Sequence, residues 1–334
     1  MASQLKSILC GAAVAALLIL PAAAGSGDWS IGPWQGYDAN KVKVDSFVGK
    51  LRVDVKPQDK ISVQVSGNKE RVQHLKVRTS DGTLIIQGEN EDGVWDWKNW
   101  FDFSQHNIDS KSLDVHVVVP KGTPIKVEDI VGDAAIGDTE ADISFDAVSS
   151  VTTIGRVKNA RISMAGSGKI QMSDVMGDLH LEIAGSGNIK ANSARSVDAD
   201  IAGSGSATLG AINGGLKLDI AGSGDFNAAK VNGPVHVDIV GAGSVTIPQG
   251  VADPLHVDIM GAGNFVFGGE AVDPHISALG SGRVKLRAYK GRMDSDGMVD
   301  VQIGPEGFPA LPAPPAPPAP PAPPAPPKHV TDDD

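Results

Sequence analysis

Histidine and carboxylate side chains recur in a fixed relation along the second half of the chain. Three of the eight histidines are each followed two residues later by an acidic residue, as in the stretch His236-Val237-Asp238. Imidazole and carboxylate groups are ligands for zinc and copper, and a row of carboxylates suits calcium. The sequence therefore predicts a candidate metal site formed by His236, Asp238, His256 and Asp258.

These polar residues fall into two columns of a repeat. One column reads Arg161, His180, Asp198, Lys217, His236, His256, His275, and the other reads Ser163, Glu182, Asp200, Asp219, Asp238, Asp258, Ser277. If neighbouring coils lie ~4.8 Å apart, like charges repel by about 1 kcal/mol in water, so the columns need no ion in order to fold. A solvated polar face, an adhesive or ion-binding surface and a catalytic face are the alternatives. The sequence has no Ser-His-Asp or Cys-His arrangement that favours catalysis.

Seven Gly-x-Gly sets accompany these columns, and successive sets are separated by 18 to 20 residues. A period this regular is typical of a solenoid. A tight corner needs a positive φ or a close approach of two backbones, and glycine meets either need at little cost. Corner glycines are therefore predicted at Gly166, Gly168, Gly185, Gly187, Gly203, Gly205, Gly222, Gly224, Gly241, Gly243, Gly261, Gly263, Gly280 and Gly282.

A Gly-x-Gly set after a strand can also begin a phosphate-binding loop. That motif needs a third glycine three residues after the second, and a helix must follow. None of the seven sets has this third glycine, and another alternating stretch follows each set. The sequence therefore predicts structural corners and no bound cofactor.

Apolar and polar residues alternate on both sides of each glycine set. Alternation with a period of two predicts strands with one buried face, so each coil has a strand, a glycine corner, a second strand and a second corner. The predicted fold class is all-β, a parallel β-helix with coils of about 19 residues. One inward column is predicted to contain Ile183, Ile201, Ile220, Ile239 and Ile259.

The predicted domain organisation has four parts. Residues 1–24 resemble an export signal, 25–125 form an N-terminal β region, 126–304 form the repeat solenoid, and 305–334 form a disordered Pro/Ala-rich tail. The aromatic segment 91–110 either caps the open end of the rod or docks a glycan, a lipid surface or a protein. The tail favours polyproline II and is predicted to be a spacer, with a docking ligand as the alternative.

The export signal sets the expected compartment. Its apolar run extends from Ile8 to Leu20 and is followed by small residues that suit cleavage. Cys10, the only cysteine, lies inside the signal, so the mature chain is predicted to have neither disulfides nor thiolate chemistry. We expect a periplasmic or cell-surface protein without a transmembrane helix in the mature chain.

The repeated turns AGSGNI (184–189) and AGSGDF (221–226), with the export signal and the alternating strands, resemble the auto-transporter adhesin head domain, called the GIN domain. The stretch VPKGTPIKVEDIVGDAAIG (119–137) is similar to a related group of bacterial β-solenoid domains of unknown function. The resemblance covers residues 40 to 300 and implies an exported, right-handed parallel β-helix with no established chemistry.

Charge and resemblance together indicate the expected function. The formal net charge is −11 and no basic stripe occurs, so nucleic acid is not an expected partner. We expect a structural or adhesive binding module of the bacterial envelope, without catalytic activity, whose partner is an unknown surface protein or glycan. The alternatives are a carbohydrate-active β-helix protein that binds or cleaves polysaccharide, and a weak metal binder that uses the outward histidines and aspartates.

Overall fold

The computed structural model describes residues 29–88, 113–297, 300–306 and 308. Most of these residues lie in β-strands, and there is one short helix, α1 (Lys69–His74). The strands up to residue 119 are β1 (Trp29–Ile31), β2 (Gln35–Tyr37), β3 (Lys41–Val55), β4 (Ile61–Asn68), β5 (Lys76–Ser80), β6 (Thr83–Gln87) and β7 (Leu113–Val119). Those that follow are β8 (Ile125–Ile136), β9 (Ile143–Ile154), β10 (Ala160–Gly166), β11 (Lys169–Asp174), β12 (Asp178–Gly185), β13 (Asn188–Gly203), β14 (Ser206–Gly222), β15 (Asp225–Gly241), β16 (Ser244–Ile247), β17 (Gly250–Gly261), β18 (Asn264–Val272), β19 (His275–Gly280), β20 (Arg283–Lys290), β21 (Asp294–Gly297) and β22 (Asp300–Ile303).

The repeat region is a parallel β-solenoid, as the alternation and the glycine period predict. Strands of successive coils pair in parallel, and equivalent residues are in register. The first glycines of all seven sets form one row that runs from Gly166 to Gly280. The stack has about nine turns, which confirms the predicted fold class.

The solenoid also includes β3, which precedes the glycine repeat in the chain. On one side β3 pairs in parallel with β8, and on the other side it pairs in parallel with β6 and β7. The chain forms β4, α1 and β5 before it returns to this edge. There β4 pairs antiparallel with β7, and β5 pairs antiparallel with β6. These antiparallel strands therefore occupy an edge of the parallel stack that would otherwise expose unpaired backbone groups.

A single apolar core runs through the stack. The predicted inward column is buried throughout, with at most 3% exposure at Ile183, Ile201, Ile220, Ile239 and Ile259. Four fully buried phenylalanines fill the interior elsewhere, at Phe145, Phe226, Phe265 and Phe267. Burying one such side chain contributes about 1.5–3 kcal/mol, and the coils share these contacts, so the stack is stable where a single coil would not be.

The two glycines of a corner have different physical roles. Gly222 has a φ of 129°, and a Cβ atom there would collide with the carbonyl oxygen of Gly203 in the preceding coil. At Gly224 a Cβ atom would lie 2.5 Å from Cγ2 of Ile201, which belongs to the core. The first glycine therefore allows the backbone to turn, and the second leaves room for a buried side chain.

Three predicted segments lie outside the described residues, wholly or in large part: the export signal at 1–24, the aromatic segment at 91–110 and the tail at 305–334. The last described residue, Phe308, packs against β20, where its ring centre is 5.1 Å from Lys285 Nζ and 5.3 Å from Arg287 Cζ. Among the described ranges, no helix has the length and apolar character needed to cross a membrane.

Candidate functional site: an outward face of histidines and carboxylates

The strand before each glycine corner presents two polar columns on its outward side, because its alternate residues form the core. Pairing between coils keeps both columns in register. We call them together the ladder face. The histidine column contains Arg161, His180, Asp198, Lys217, His236, His256, His275 and Asp294. The carboxylate column contains Ser163, Glu182, Asp200, Asp219, Asp238, Asp258, Ser277 and Asp296.

Three imidazoles of the histidine column form a continuous stack. The ring centres of His236 and His256 are 4.9 Å apart, with 30° between the ring planes. Those of His256 and His275 are 4.5 Å apart, with 22° between the planes. The strand spacing of ~4.8 Å imposes this separation. Because the rings lie face to face, their nitrogens point sideways rather than at one another.

The four residues of the predicted metal site form two parallel pairs. His236 Nε2 lies 3.2 Å from Asp238 Oδ2, and His256 Nε2 lies 3.2 Å from Asp258 Oδ2. Each imidazole is therefore paired with the carboxylate of its own strand. In the part of the chain that the structure describes, the one group of three ligand atoms within 4.8 Å of one another lies elsewhere. A metal site at the two pairs stays a prediction.

The converging group consists of His180, Asp198 and Asp200, all half-buried. His180 Nδ1 lies 3.5 Å from Asp198 Oδ2 across the coil boundary. His180 and Asp198 also line an open cleft of about 560 Å³, together with Arg161 and Asp178. Sequence reasoning missed this group because it followed the histidine-rich coils. The available signal was Asp198-Ala199-Asp200, since this is the only one of the seven strands before a corner with a carboxylate in both columns.

In the middle of the carboxylate column, the pKa values of neighbouring carboxyl groups are shifted in different directions. Partial burial raises the pKa of Asp200, and the charges of Asp198 and Asp219 raise it further. Burial also raises the pKa of Asp238, and a hydrogen bond with Asp219 adds to this effect. Burial acts in the same direction on Asp219, but the hydrogen bond and the charge of Lys217, together with hydrogen bonds from Asp238 and Asp200, outweigh it, so the pKa of Asp219 is lowered. Asp219 therefore holds the charge most firmly among these three carboxyls.

The ladder face continues onto β3 and β8, where lysines compensate the acidic residues. Glu128 forms ion pairs with Lys43 Nζ at 2.7 Å and with Lys126 Nζ at 2.5 Å. Hydrogen bonds from Lys126 and then from Lys43 lower the pKa of Glu128. This end of the face is therefore held together by charge pairs, unlike the carboxylate-rich middle.

Glu128→Gln should reduce stability at about pH 7, by up to ~1 kcal/mol for a partly exposed charge cluster. Because the folded pKa of Glu128 lies below its ordinary value of 4.5, ionised Glu128 stabilises the fold above that value. The stabilisation is lost as pH falls through the folded pKa, and glutamine does not titrate. Urea unfolding at about pH 7, and at the lowest pH at which the wild type stays folded, measures the difference. A stability difference between the wild type and Glu128→Gln that does not change with pH would contradict the role given to ionised Glu128.

A second concave surface lies at the N-terminal end of the rod. The groove has a volume of about 420 Å³, and its polar residues include Arg52, Gln64 and His116. The Trp34 ring meets His116 edge-on, with ring centres 4.9 Å apart. His116 Nε2 lies 2.8 Å from Asp54 Oδ2. An exposed indole beside several polar groups is a suitable surface for a sugar ring.

The fold and the ladder face define a β-solenoid whose coils turn at glycine pairs and carry one polar outward side. The chain belongs to the family described as "Putative auto-transporter adhesin, head GIN domain", whose model matches residues 40–230, more than half of its length. No curated protein sequence matches it.

Several solved structures are similar to the chain. One is titled a putative adhesin from Parabacteroides distasonis ATCC 8503, with 19% identity, coverage of 84% of this chain and 98% of that one, and a TM-score of 0.42. Another from the same organism is titled a putative lipid binding protein, with 15% identity, coverage of 83% and 98%, and a TM-score of 0.41. A putative adhesin from Parabacteroides merdae ATCC 43184 has 12% identity, coverage of 84% and 97%, and a TM-score of 0.35.

Proposed function

We propose that the protein is an exported adhesion module that binds a ligand of the bacterial envelope or surface without catalysis. The single observation that carries the proposal is the in-register ladder face, on which imidazoles and carboxylates repeat from coil to coil. A repeated row of acceptors suits an extended ligand with a matching row of hydrogen-bond donors. Membership of an adhesin family and the export-like residues 1–24 support the same role.

The physical advantage of such a face is that it makes many weak contacts with one ligand at the same time. Each exposed ion pair or hydrogen bond contributes little by itself, since water competes for it. Contacts repeated along a rigid rod add together, because the rod holds them in place before the ligand arrives. The stacked imidazoles and their paired carboxylates provide this regular spacing over three successive coils.

The proposed role of the Pro/Ala-rich tail is a spacer. Five Ala-Pro-Pro units favour polyproline II, which extends by about 3.1 Å per residue. Such a segment would hold the solenoid away from whatever its C-terminal end contacts. The packing of Phe308 on β20 supports this proposal, because a residue near the start of the segment contacts the solenoid.

The triple variant His236→Ala/His256→Ala/His275→Ala tests the adhesive role. We expect it to bind isolated envelope fractions about tenfold more weakly than the wild type, which corresponds to ~1.4 kcal/mol. Labelled protein titrated against those fractions measures the affinity. The matched control removes three outward polar side chains from the strands after the corner, in Thr208→Ala/Asn227→Ala/Thr246→Ala.

The control should bind as the wild type does. Equal binding by both triple variants would reject the ladder face as the contact surface.

A second candidate, polysaccharide binding, is favoured by the exposed Trp34 beside the N-terminal groove. Trp34→Ala separates the two, because its loss should weaken binding to purified polysaccharide only if the groove is the contact site.

A further inference from the structure

Two features of the ladder face occur together at one coil boundary: a group of converging ligand atoms and an excess of negative charge. His180 projects from β12, and β13 places both Asp198 and Asp200 beside it. One ligand atom from each residue lies within 4.8 Å of the other two. Two ligands in a tetrahedral zinc site, each ~2.1 Å from the metal, lie about 3.4 Å apart. The distance of 3.5 Å from His180 Nδ1 to Asp198 Oδ2 is close to this value.

Negative charge is in excess at this boundary. Asp198 Oδ1 is shielded from solvent and accepts no hydrogen bond, and its nearest cation, Lys217 Nζ, is 3.7 Å away. Lys217 also pairs with Asp219 at 2.9 Å, so its charge is shared. A divalent cation would supply the charge that the protein side chains here do not.

An equivalent pair at another coil lacks the third ligand. His275 Nδ1 lies 3.5 Å from Asp294 Oδ2, which reproduces the geometry of His180 and Asp198. Asp296 follows Asp294 as Asp200 follows Asp198, but its ligand atom does not complete a converging group there. The chain therefore contains an internal control for the effect of the third ligand.

We propose that His180, Asp198 and Asp200 form a binding site for a divalent transition metal of the zinc class. One imidazole nitrogen and two carboxylate oxygens match the ligands that zinc prefers, whereas calcium prefers oxygen alone. Three protein ligands leave a fourth position of a tetrahedral site open, and two of the three, His180 and Asp198, line the cleft of about 560 Å³. A donor atom of a bound partner, such as a carboxylate or a hydroxyl group, can fill that position. Metal binding here goes beyond the adhesive role and does not depend on it.

Calorimetric titration of the full-length protein with zinc chloride tests the site. The wild type should bind one zinc ion that Asp198→Asn and His180→Ala bind about tenfold more weakly or not at all, because loss of even an outer-shell partner costs about 10–100-fold in affinity. Asp198→Asn preserves the shape of the side chain, so it also guards against a folding defect in His180→Ala. Zinc should raise the melting temperature of the wild type and leave that of Asp198→Asn unchanged.

Two control variants should bind zinc as the wild type does. Asp294→Asn removes the equivalent carboxylate of the two-ligand pair, and His236→Ala/His256→Ala removes two of the stacked imidazoles. Loss of zinc binding in either control, with retention in Asp198→Asn, would overturn the proposal and move the metal to another part of the ladder face. Absence of zinc binding by the wild type, or equally tight binding of calcium, would also overturn it.

Discussion

Gly222→Val is expected to lower the free energy of unfolding by about 3 kcal/mol or more. The φ of 129° at this residue lies in a region that β-branched residues hardly populate, and this strain alone costs about 1–3 kcal/mol. The added Cβ would also collide with the carbonyl oxygen of Gly203, which is backbone and accepts a hydrogen bond from the Ser223 N–H. Neither the strain nor the collision can be relieved without moving two coils apart.

Denaturant unfolding followed by circular dichroism measures this loss. Ser223→Ala is the matched control, because Ala242 and Ala262 occupy the equivalent middle position of two other corners. It should change stability by no more than about 0.5 kcal/mol. Unfolding midpoints that coincide for Gly222→Val and Ser223→Ala would refute the conformational role assigned to the first glycine.

Much of the solenoid could be predicted from the sequence because its signals are local and repeated. Alternation with a period of two fixes which side of a strand is buried, and the glycine period fixes where each coil turns. Ile201 and Ile220 could therefore be assigned to the same inward column from their spacing alone, and they pair in the stack. Seven copies of one pattern also reduce the ambiguity that a single short strand would leave.

The N-terminal topology could not be predicted in the same way. β3 has the alternation of a solenoid strand, but its neighbours β6, β7 and β8 follow it by different distances along the chain. Pairing of this kind depends on which long-range strand contact forms at the lowest loop-closure cost, and a local alternation pattern contains no information about that cost. The antiparallel pairing of β4 with β7 is likewise a property of the assembled edge.

The ladder face was predictable as two columns, but its contacts were not. Column membership follows from register, whereas contacts depend on how each side chain leans. His236 and His256 stack and pair with their own aspartates, while His180 turns toward a carboxylate of the next coil. The difference arises from the residue that follows in the column, an imidazole after His236 and a carboxylate after His180. The residue type at the next position of the column therefore decides whether a histidine pairs with a carboxylate of its own strand or with one of the next coil.

Phe226→Ala should destabilise the protein by about 3–5 kcal/mol, the range for truncation of a fully buried phenylalanine. Phe226 is inaccessible to solvent and pairs with Ala207 on one side and Val245 on the other. A small residue in the preceding coil leaves the space that the ring fills, so truncation opens a cavity between coils that neither neighbour can close. Phe226→Leu retains most of the volume and should cost clearly less.

The position of Phe226 in the middle of the stack also predicts how the variant unfolds. In a solenoid each coil contacts only its neighbours, so a defect at one interface weakens the coupling between the two halves. Hydrogen exchange should therefore increase most in β15, which carries Phe226, and in its neighbours β14 and β16, while β9 and β10 keep their protection. Urea unfolding should become broader than in the wild type and in Phe226→Leu. An equal increase in exchange along the whole rod would mean that the stack unfolds as one unit and that nearest-neighbour coupling is not what limits its stability.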